Sequence, residues 1–424
     1  MKVLRDLEEL VSHQVIDKET ALRIEQHYQS KKNSSTNRFF IVFGILGAIL
    51  IGLGIWLIVA HNWDDLSRFT KTVFAFVPLL LGQMACAYSF IKKRESIAWK
   101  ESTSAFLFFC IGICIALISQ IYHIQGDEHE FILTWMLLSL PLIFIMDSSI
   151  LSLLYIIGIT NYGSMTGYGI SGQSDGHLYW LLLIAILPYY YLLIRKFPNS
   201  LFTFFHHWAI PISLTSLFGI ITKENAYWMI SAYLSMFGLF LQIGPLLMKN
   251  NHWLSNGYKL IGTFGTLALI FFMSFYGILD VQFDQNSHTD DWLSSIEFLT
   301  SAVLLLLSWG LWIYRGWRQH FHWIYLAPLL IFMLTFFKTP NPTPIILVNL
   351  YIFILGVVSI LEGLKKDQLS ILNYGLSIIT ILIFCRFFDT DIPFVVKGII
   401  FLVVGFGFFA ANYYMLRKRK SHDI

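Results

Sequence analysis

The sequence predicts an all-α fold: a polytopic transmembrane helix bundle, preceded by a short cytoplasmic helical hairpin. Of the 424 residues, 56% are hydrophobic and only 13% are charged, whereas about 25% of the residues in soluble domains are charged. From residue 39 onward, apolar runs recur that are long enough to cross a bilayer as helices. Lys and Arg are concentrated in alternate loops between these runs, as the positive-inside rule requires. The lipid bilayer is therefore the predicted partner of most of the chain.

Residues 1–38 are predicted to form the hairpin and a linker. Apolar residues at three- and four-residue spacing predict two amphipathic helices: Leu4, Leu7, Leu10 and Val11 in the first, and Ala21, Leu22 and Ile24 in the second. Asp17 is the predicted N-cap of the second helix. A unit this small cannot hold a core alone. We expect it to pack on a cytoplasmic protein, on a second copy of the chain, or on loops of the membrane region.

About 14 spans are predicted, with 12–14 as the range. Each apolar run has roughly the length that crosses about 30 Å of hydrocarbon as an α-helix. The runs are residues 39–60, 72–91, 104–122, 131–146, 149–165, 178–194, 205–222, 226–247, 258–279, 293–313, 322–337, 343–361, 369–385 and 392–416. Because a polar segment precedes the first run, that run is expected to be a permanent anchor rather than a signal peptide. Only the sequence DSS separates the fourth run from the fifth, which predicts a tight helical hairpin there.

The charge distribution predicts that both termini are cytoplasmic. Most loop cations fall on the side of the N-terminus, and the outer loops hold only Arg68, Lys71, Lys223, Lys338 and Arg386. Acidic residues lie mostly on the outer side, including those of the turn HIQGDEHE between the third and fourth runs. The basic residues are dispersed over short loops and do not form one groove, which argues against nucleic-acid binding.

Three stretches near the N-terminus carry a recognisable pattern: LEELVSHQVIDKETALRIEQHY, LGAILIGLGIWLIVAHNWDDLSRFTKT and ALISQIYHIQGDEHEFILTWMLLSLPL. A Gly-rich first span runs into Asn-Trp, and Gln-x-Tyr, a Gly and a Trp-containing fourth span follow. This pattern resembles a bacterial family of predicted membrane proteins, the domain of unknown function 2157. The resemblance implies a bacterial inner-membrane location with an N-terminal cytoplasmic hairpin, and it supplies no activity or catalytic residues. We predict three segments: the hairpin and linker at 1–38, a family-like membrane region of about five spans at 39–165, and the remaining spans with a basic tail at 166–424.

The outer ends of the first four runs carry the first candidate site, called the outer cluster. It comprises His61, Asn62, Asp64, Asp65, Gln120, Tyr122, His123, Asp127 and His129. Carboxylate and imidazole groups together suit cation binding or proton transfer near neutral pH. Their spacing fits no metal motif, so no metal site is assigned. The alternative is a solvated turn, with Trp63 as an interfacial anchor and Asp64–Asp65 capping the next helix.

Several polar residues fall in or beside apolar runs. Gln120 is expected to hydrogen-bond between helices more than to contact a solute. Glu297 lies inside the tenth run, where an ionisable group needs a partner or a cavity. Arg386 and Lys397 are its candidate partners, and the sequence leaves open whether Glu297 forms an ion pair or a solute or proton site. His206 and His207 are expected to anchor the seventh run at the membrane interface.

No motif of a soluble catalytic domain is present. The chain lacks a Walker A loop, HExxH and GxSxG, so ATP-driven pumping by this chain alone is not expected and no cofactor is predicted. The small residues Gly44, Ala48 and Gly52 of the first run predict close helix packing, not a nucleotide loop. The four cysteines fall in apolar runs and are expected to be structural.

Three functions follow as hypotheses. The span number, prolines within the runs and Glu297 favour a transporter or flippase-like protein for a polar or lipid-linked solute, which predicts a cavity. The alternative is a non-catalytic scaffold or sensor that docks a partner through residues 1–38, which predicts a filled bundle. A membrane enzyme would need His61 or His123 within hydrogen-bond reach of a carboxylate of the outer cluster. Enzymatic activity is the hypothesis that the sequence supports least.

Overall fold

The computed structural model describes residues 17–24, 65–169, 176–221, 226–247, 256–275, 295–316, 321–337 and 343–389, with isolated positions at 11, 13 and 15 and between 395 and 413. Between residues 65 and 389 the described ranges hold twelve α-helices, which we number in chain order; a short helix at residues 18–24 precedes them. They are α1 Arg68–Lys92, α2 Ile97–Tyr122, α3 Glu128–Met146, α4 Ser149–Gly167, α5 Leu178–Lys196, α6 Leu201–Leu217, α7 Ala226–Leu247, α8 Gly257–Phe272, α9 Ile296–Tyr314, α10 Ala327–Phe337, α11 Thr343–Lys366 and α12 Leu369–Asp389. Two short 3-10 helices, Phe218–Ile220 and Trp323–Leu326, accompany them. The described fold is all-α, as predicted.

The prediction of about 14 spans is wrong in its count. Eight helices of the described ranges are long and apolar enough to cross a membrane: Arg68–Lys92, Ile97–Tyr122, Glu128–Met146, Leu178–Lys196, Trp228–Leu247, Ile296–Tyr314, Thr343–Lys366 and Leu369–Phe387. The first predicted run and most of the last lie outside the described residues. The chain is a polytopic helical membrane protein, and the orientation of its termini stays a prediction.

Helix length and composition explain the difference. Helix α6 has 17 residues and α8 has 16, so at about 1.5 Å per residue both fall short of about 30 Å of hydrocarbon. A 3-10 segment precedes α10 and leaves that helix only 11 residues. Helix α4 is long enough but carries many Ser, Thr and Asn side chains. Apolar residues of short buried helices resemble those of lipid-facing spans, so composition alone overcounted.

The chain divides into two compact units, residues 1–77 with 120–122 and residues 78–119 with 123–424. In the first unit, residues 18–24 are helical. The backbone carbonyl of Asp17 accepts the N–H of Ala21 at 3.1 Å, and a hydrogen bond from the Thr20 side chain lowers the pKa of Asp17. Asp17 therefore caps this helix, as predicted. The first predicted helix of the hairpin lies outside the described residues, and the division at 38 and 165 stays a prediction.

The start of α1 belongs to the same unit. Its N-cap is Ser67, whose Oγ accepts the N–H of Thr70 at 3.2 Å. The predicted cap, Asp65, lies two positions earlier and is exposed. A hydroxyl beside the first helical amides is the better placed acceptor, so the prediction for Asp65 is wrong.

The second unit holds two large hydrophobic clusters. The first packs α3 to α8 together, with fully buried Tyr155, Ile186 and Leu217 among its members. The second joins α7 and α8 to α10, α11 and α12, around residues such as Val348 and Ile352. Hydrocarbon is as apolar as these side chains, so what holds helices together in a bilayer is close packing and hydrogen bonding.

Helices α11 and α12 approach each other most closely at three glycines. A Cβ on Gly363 would lie 2.5 Å from the backbone nitrogen of Leu372, and one on Gly375 would lie 2.7 Å from the carbonyl oxygen of Gly356. Real Cβ atoms do not approach backbone atoms this closely. The absence of a side chain at these positions is therefore what lets the two backbones touch.

We expect Gly363→Ala to lower the free energy of unfolding by about 1–2 kcal/mol, because the two helices must separate to admit a methyl group. The matched control is Gly310→Ala in α9, where a Cβ would meet nothing within 4 Å. Thermal unfolding of the detergent-solubilised protein measures both variants. Equal midpoints for the two would show that α11 and α12 are not in backbone contact.

Candidate functional site

A groove of about 600 Å³ lies where α1, α2 and α3 meet, within the second unit. We call it the α2–α3 groove. Its lining residues are Leu79, Gln83, Ile111, Cys114, Ile115, Ile118, Ser119, Ile124, Gln125, Gly126, Asp127, Glu130, Phe131, Thr134 and Leu138. Polar residues cluster at the turn between α2 and α3, and apolar residues line the groove one to three helical turns further along. The groove is therefore amphiphilic along its length.

The wall between α2 and α3 is fixed by Trp135. Its Nε1–H donates to the carbonyl of Phe108 at 2.8 Å, and its ring is stacked at a tilt on Phe108, with centroids 4.6 Å apart. A Cβ on Gly112 would lie 2.6 Å from the Trp135 ring. The sequence places a glycine where the indole needs room, and this brings the two helices together beside the groove.

The polar end of the groove is built by the turn after α2. His123 adopts a left-handed backbone with φ of 51°, and this conformation ends the helix. The Ser119 carbonyl accepts the N–H of Ile124 at 3.0 Å, and the Ser119 hydroxyl donates to the Ile124 carbonyl at 3.1 Å. The turn is thus closed by its own backbone and one serine.

Asp127 occupies the N-cap position of α3 but makes no capping hydrogen bond with its side chain. Glu128 and Glu130 follow in the first turn, where the partial positive charge of the helix N-terminus favours carboxylates. Asp127 and Glu130 both line the groove and are exposed. No Lys or Arg is among the lining residues, so this end of the groove is negatively charged.

His129 is the one member of the outer cluster in the second unit that is buried, at 5% exposure. Its Nδ1 lies 3.9 Å from Oδ2 of Asp127, which is too long for a hydrogen bond. That Nδ1 has no hydrogen-bond partner within the described part of the chain. His129 and Asp127 are therefore neighbours that do not hydrogen-bond to each other. His123 is exposed and does not hydrogen-bond to Asp127 either.

Gln83 is a polar lining residue that the sequence gave no reason to select. It lies deep inside α1, far from both ends of a 25-residue span, and it is exposed on the helix surface. No hydrogen bond to its side chain occurs among the described residues. An amide at that depth in hydrocarbon needs a partner, and the α2–α3 groove is the space that it borders.

The remaining residues of the outer cluster do not join this groove. His61, Asn62 and Asp64 lie outside the described residues. Asp65, Gln120 and Tyr122 belong to the first compact unit. Gln120 is exposed, so the expectation of a buried interhelical hydrogen bond is wrong. The Tyr122 hydroxyl lies 3.1 Å from Oγ1 of Thr72, and this contact ties the end of α2 to the start of α1.

The predicted intramembrane charge is buried. Glu297 is 2% exposed in the first turn of α9. One turn further along, the Ser301 hydroxyl lies 2.8 Å from that of Ser231 on α7. Arg386 donates from Nη2 to the Ser274 hydroxyl at 3.2 Å. Lys397 lies outside the described residues, and the pairing of Glu297 with a cation stays a prediction.

Sequence reasoning missed a buried carboxylate, Glu101 of α2. It accepts hydrogen bonds from the Ser148 hydroxyl at 2.6 Å and from the N–H groups of Ser149 at 2.9 Å and Ile150 at 2.8 Å. These are the first donors of α4, which lack partners within their own helix. Glu101 thus caps a different helix from its own. The sequence shows only a helix start at DSS and an acid far away, and nothing connects the two before folding.

A network of histidines and tyrosines lies at the same end of the unit. His206 and His207 are 0% and 1% exposed, so their expected role as interfacial anchors is wrong. Nε2 of His206 lies 2.9 Å from the Ser152 hydroxyl, and Nδ1 of His207 lies 2.6 Å from the Tyr190 hydroxyl. Helix α6 is short and packed inside the second unit, and its histidines therefore bond to other helices.

The N-terminal third of the chain matches a known family of membrane proteins. Residues 8–152 match the family described as "Predicted membrane protein (DUF2157)". No curated protein and no solved structure matched. The family match confirms the resemblance inferred from the sequence, and the matched residues include every residue that lines the α2–α3 groove. Within the described residues, no group of three or more His, Cys, Asp and Glu is placed to hold a metal ion.

Proposed function

We propose that this multi-pass membrane protein binds an amphiphilic, lipid-like solute in the α2–α3 groove and moves it across the membrane. The amphiphilic groove is the observation that carries the proposal. Its volume of about 600 Å³ falls in the range of small-molecule sites, about 300–1,000 Å³. Its apolar stretch suits a hydrocarbon chain, and its polar end suits a head group at the membrane surface.

The charge at the polar end favours a cationic head group. Asp127 and Glu130 place two carboxylates there, and the lining contains no basic residue. At short range in a partly desolvated site, opposite charges attract more strongly than in water. The proposed solute therefore carries an ammonium group, and the amide of Gln83 is a hydrogen-bonding group for its ester or hydroxyl oxygens.

Two prolines support movement of the groove walls. Pro78 lies inside α1 next to the lining residue Leu79, and Pro141 lies inside α3 one turn after Leu138. Proline removes a backbone hydrogen bond and weakens the helix locally. Transporters use such discontinuities in their spans. Two of the three helices that line the groove thus carry a proline at which the helix could bend.

One observation favours the scaffold hypothesis as a second candidate. Leu22 lies on the N-terminal helix that Asp17 caps, and its side chain is 56% exposed. An apolar residue left open on a short amphipathic helix suits a protein partner. In that case the membrane region binds its solute without moving it, and the N-terminal helix passes the signal on. Among the described residues of the outer cluster, neither His123 nor His129 hydrogen-bonds to Asp127, so the geometry that the enzyme hypothesis requires is not found there.

We expect Ile118→Trp to reduce binding of a photo-crosslinkable phosphatidylethanolamine analogue at least about tenfold, the equivalent of 1.4 kcal/mol. The indole would occupy the groove. Ile113→Trp is the matched control, because Ile113 lies on α2, is exposed and does not line the groove. The full chain in liposomes is crosslinked, and transfer of a fluorescent analogue between leaflets is measured in parallel.

The results separate the two candidates. Crosslinking and transfer that both depend on Ile118 support the transport proposal. Crosslinking that depends on Ile118 without any transfer by the unsubstituted protein supports the binding scaffold. If Ile118→Trp and Ile113→Trp crosslink alike, the groove is not the binding site. A phosphatidylglycerol analogue that binds as well as phosphatidylethanolamine would contradict the preference for an ammonium head group.

A further inference from the structure

A second polar site lies where α7, α8 and α9 meet the 3-10 helix Trp323–Leu326. Arg315 follows the last residue of α9, and its Nη1 donates to Oε1 of Gln242 at 2.9 Å. Gln242 is buried on α7, so it holds the guanidinium group in place. The Tyr325 side chain lies close enough to Arg315 to feel its charge. A guanidinium group has five N–H donors, and the positioned Arg315 has others to offer.

A second cation lies close to Arg315. Lys259 is in the first turn of α8, after the N-cap Asn256, whose Oδ1 accepts the Lys259 N–H at 3.0 Å. The first turn of a helix disfavours a positive charge, and the charge of Arg315 acts on Lys259. Among the described residues no carboxylate forms an ion pair with either cation. Two uncompensated positive charges at one site indicate a place for an anion.

A buried donor without a partner lies on the same helix, one turn from Arg315. Trp312 lies one turn before Arg315 on α9 and is only 6% exposed, and its Nε1–H has no hydrogen-bond partner in the part of the chain that is described. Its ring lies 6.0 Å from that of Tyr325 and 5.7 Å from that of Phe321. A buried N–H without an acceptor costs about 1–3 kcal/mol. An oxygen-bearing ligand would satisfy it.

The other charged groups nearby do not neutralise Arg315 and Lys259. Glu362 is the nearby acid, and it is already paired with Lys366 at 2.5 Å. Burial lowers the pKa of His322, the charge of Glu362 opposes this shift, and those of Lys259 and Lys366 add to it. The imidazole is therefore neutral at pH 7 and adds no charge. The positive charges of Arg315 and Lys259 therefore remain without a neutralising acid.

We propose that Arg315, Lys259 and Trp312 form a phosphate-binding site between α7, α8 and α9. The guanidinium group and the ammonium group supply charge-assisted hydrogen bonds, and the indole N–H supplies a third donor. The phosphate belongs to an anionic phospholipid head group or to a soluble phosphate ester. The predicted orientation, with both termini in the cytoplasm, would put this site at the cytoplasmic face, where basic pockets between helices meet anionic lipids. It is independent of the α2–α3 groove.

The test measures binding of inorganic phosphate to the full chain in detergent by calorimetry. A second arm measures thermal stabilisation in nanodiscs of phosphatidylcholine with and without phosphatidylglycerol. Arg315→Gln and Lys259→Gln are each expected to weaken binding at least about tenfold, the equivalent of 1.4 kcal/mol. Trp312→Phe keeps an aromatic ring but loses the N–H donor, and it is expected to weaken binding less. Arg195→Gln, an exposed cation at the end of α5, is the control.

Each result either supports the phosphate-binding site or overturns it. Binding of inorganic phosphate that Arg315→Gln and Lys259→Gln weaken supports a soluble phosphate ester. Stabilisation by phosphatidylglycerol alone, lost in the same variants, supports a lipid head group. The proposal is overturned if neither probe binds, or if Arg195→Gln weakens binding as much as the site variants. Should Arg315→Gln fail to fold, Lys259→Gln at an exposed position gives the same decision.

Discussion

Glu101→Ala is expected to lower the free energy of unfolding by about 3 kcal/mol or more, because three buried donors lose their acceptor at once. Those donors are the Ser148 hydroxyl and the N–H groups of Ser149 and Ile150. The loss also removes a carboxylate from the positive end of α4. Thermal unfolding in detergent and the amount of protein in membranes measure the effect.

Two further substitutions make this result specific. Glu101→Gln keeps one acceptor oxygen and is expected to fall between the alanine variant and the unsubstituted protein. Glu95→Ala is the control, because Glu95 is an exposed acid shortly before the start of α2. If Glu101→Ala unfolds at the same temperature as Glu95→Ala, Glu101 does not hold the start of α4.

Nearby ion pairs cannot replace Glu101. Nζ of Lys100 lies 3.6 Å from Oδ2 of Asp147, and Nζ of Lys196 lies 3.9 Å from the same atom. The Asp147 side chain is half exposed, so each pair contributes about 0–1 kcal/mol. Glu101 is buried and its hydrogen bonds are short. We infer that it is the main connection between the start of α2 and the α3–α4 turn.

The helical hairpin at this turn was predictable, since local sequence determines it. Helix α3 ends at Met146, Asp147 has a left-handed φ of 50°, and Ser148 caps α4. The sequence DSS contains both a residue that tolerates this backbone and a good N-cap. The acceptor for the next two amides comes from Glu101, a residue of another helix, and no local pattern points to it.

The candidate site was predictable in part for the same reason. Asp127 was identified because polar residues interrupt two apolar runs. Gln83 was not identified, because a single glutamine inside a span does not by itself indicate a site. Its role is visible only when α2 and α3 form a groove beside it. The span count failed similarly: whether the apolar residues of α6 and α8 face lipid or other helices depends on tertiary packing. His206 and His207 are buried because α6, which carries them, packs inside the second unit.

The second large effect is expected at the start of α8. A Cβ on Gly257 would lie 2.3 Å from the carbonyl oxygen of His207 and 2.9 Å from Cα of Trp208. Both are backbone atoms of α6, so no side-chain rotation can relieve the contact. The two helices must move apart, which costs about 2–3 kcal/mol. Tyr258 follows directly and is buried beside His207, so the shift also disturbs the histidine–tyrosine network.

Gly257→Ala should therefore unfold at a clearly lower temperature than Thr263→Ala, which changes the same helix at a half-buried position. The same shift should weaken phosphate binding, because Lys259 lies two residues after Gly257 and moves with the helix start. Stability and phosphate binding are thus expected to fall together in Gly257→Ala. Lys259→Gln should differ, because it removes the charge and leaves the contact between α6 and α8 intact. A Gly257→Ala protein as stable as Thr263→Ala would show that the two backbones are not in contact.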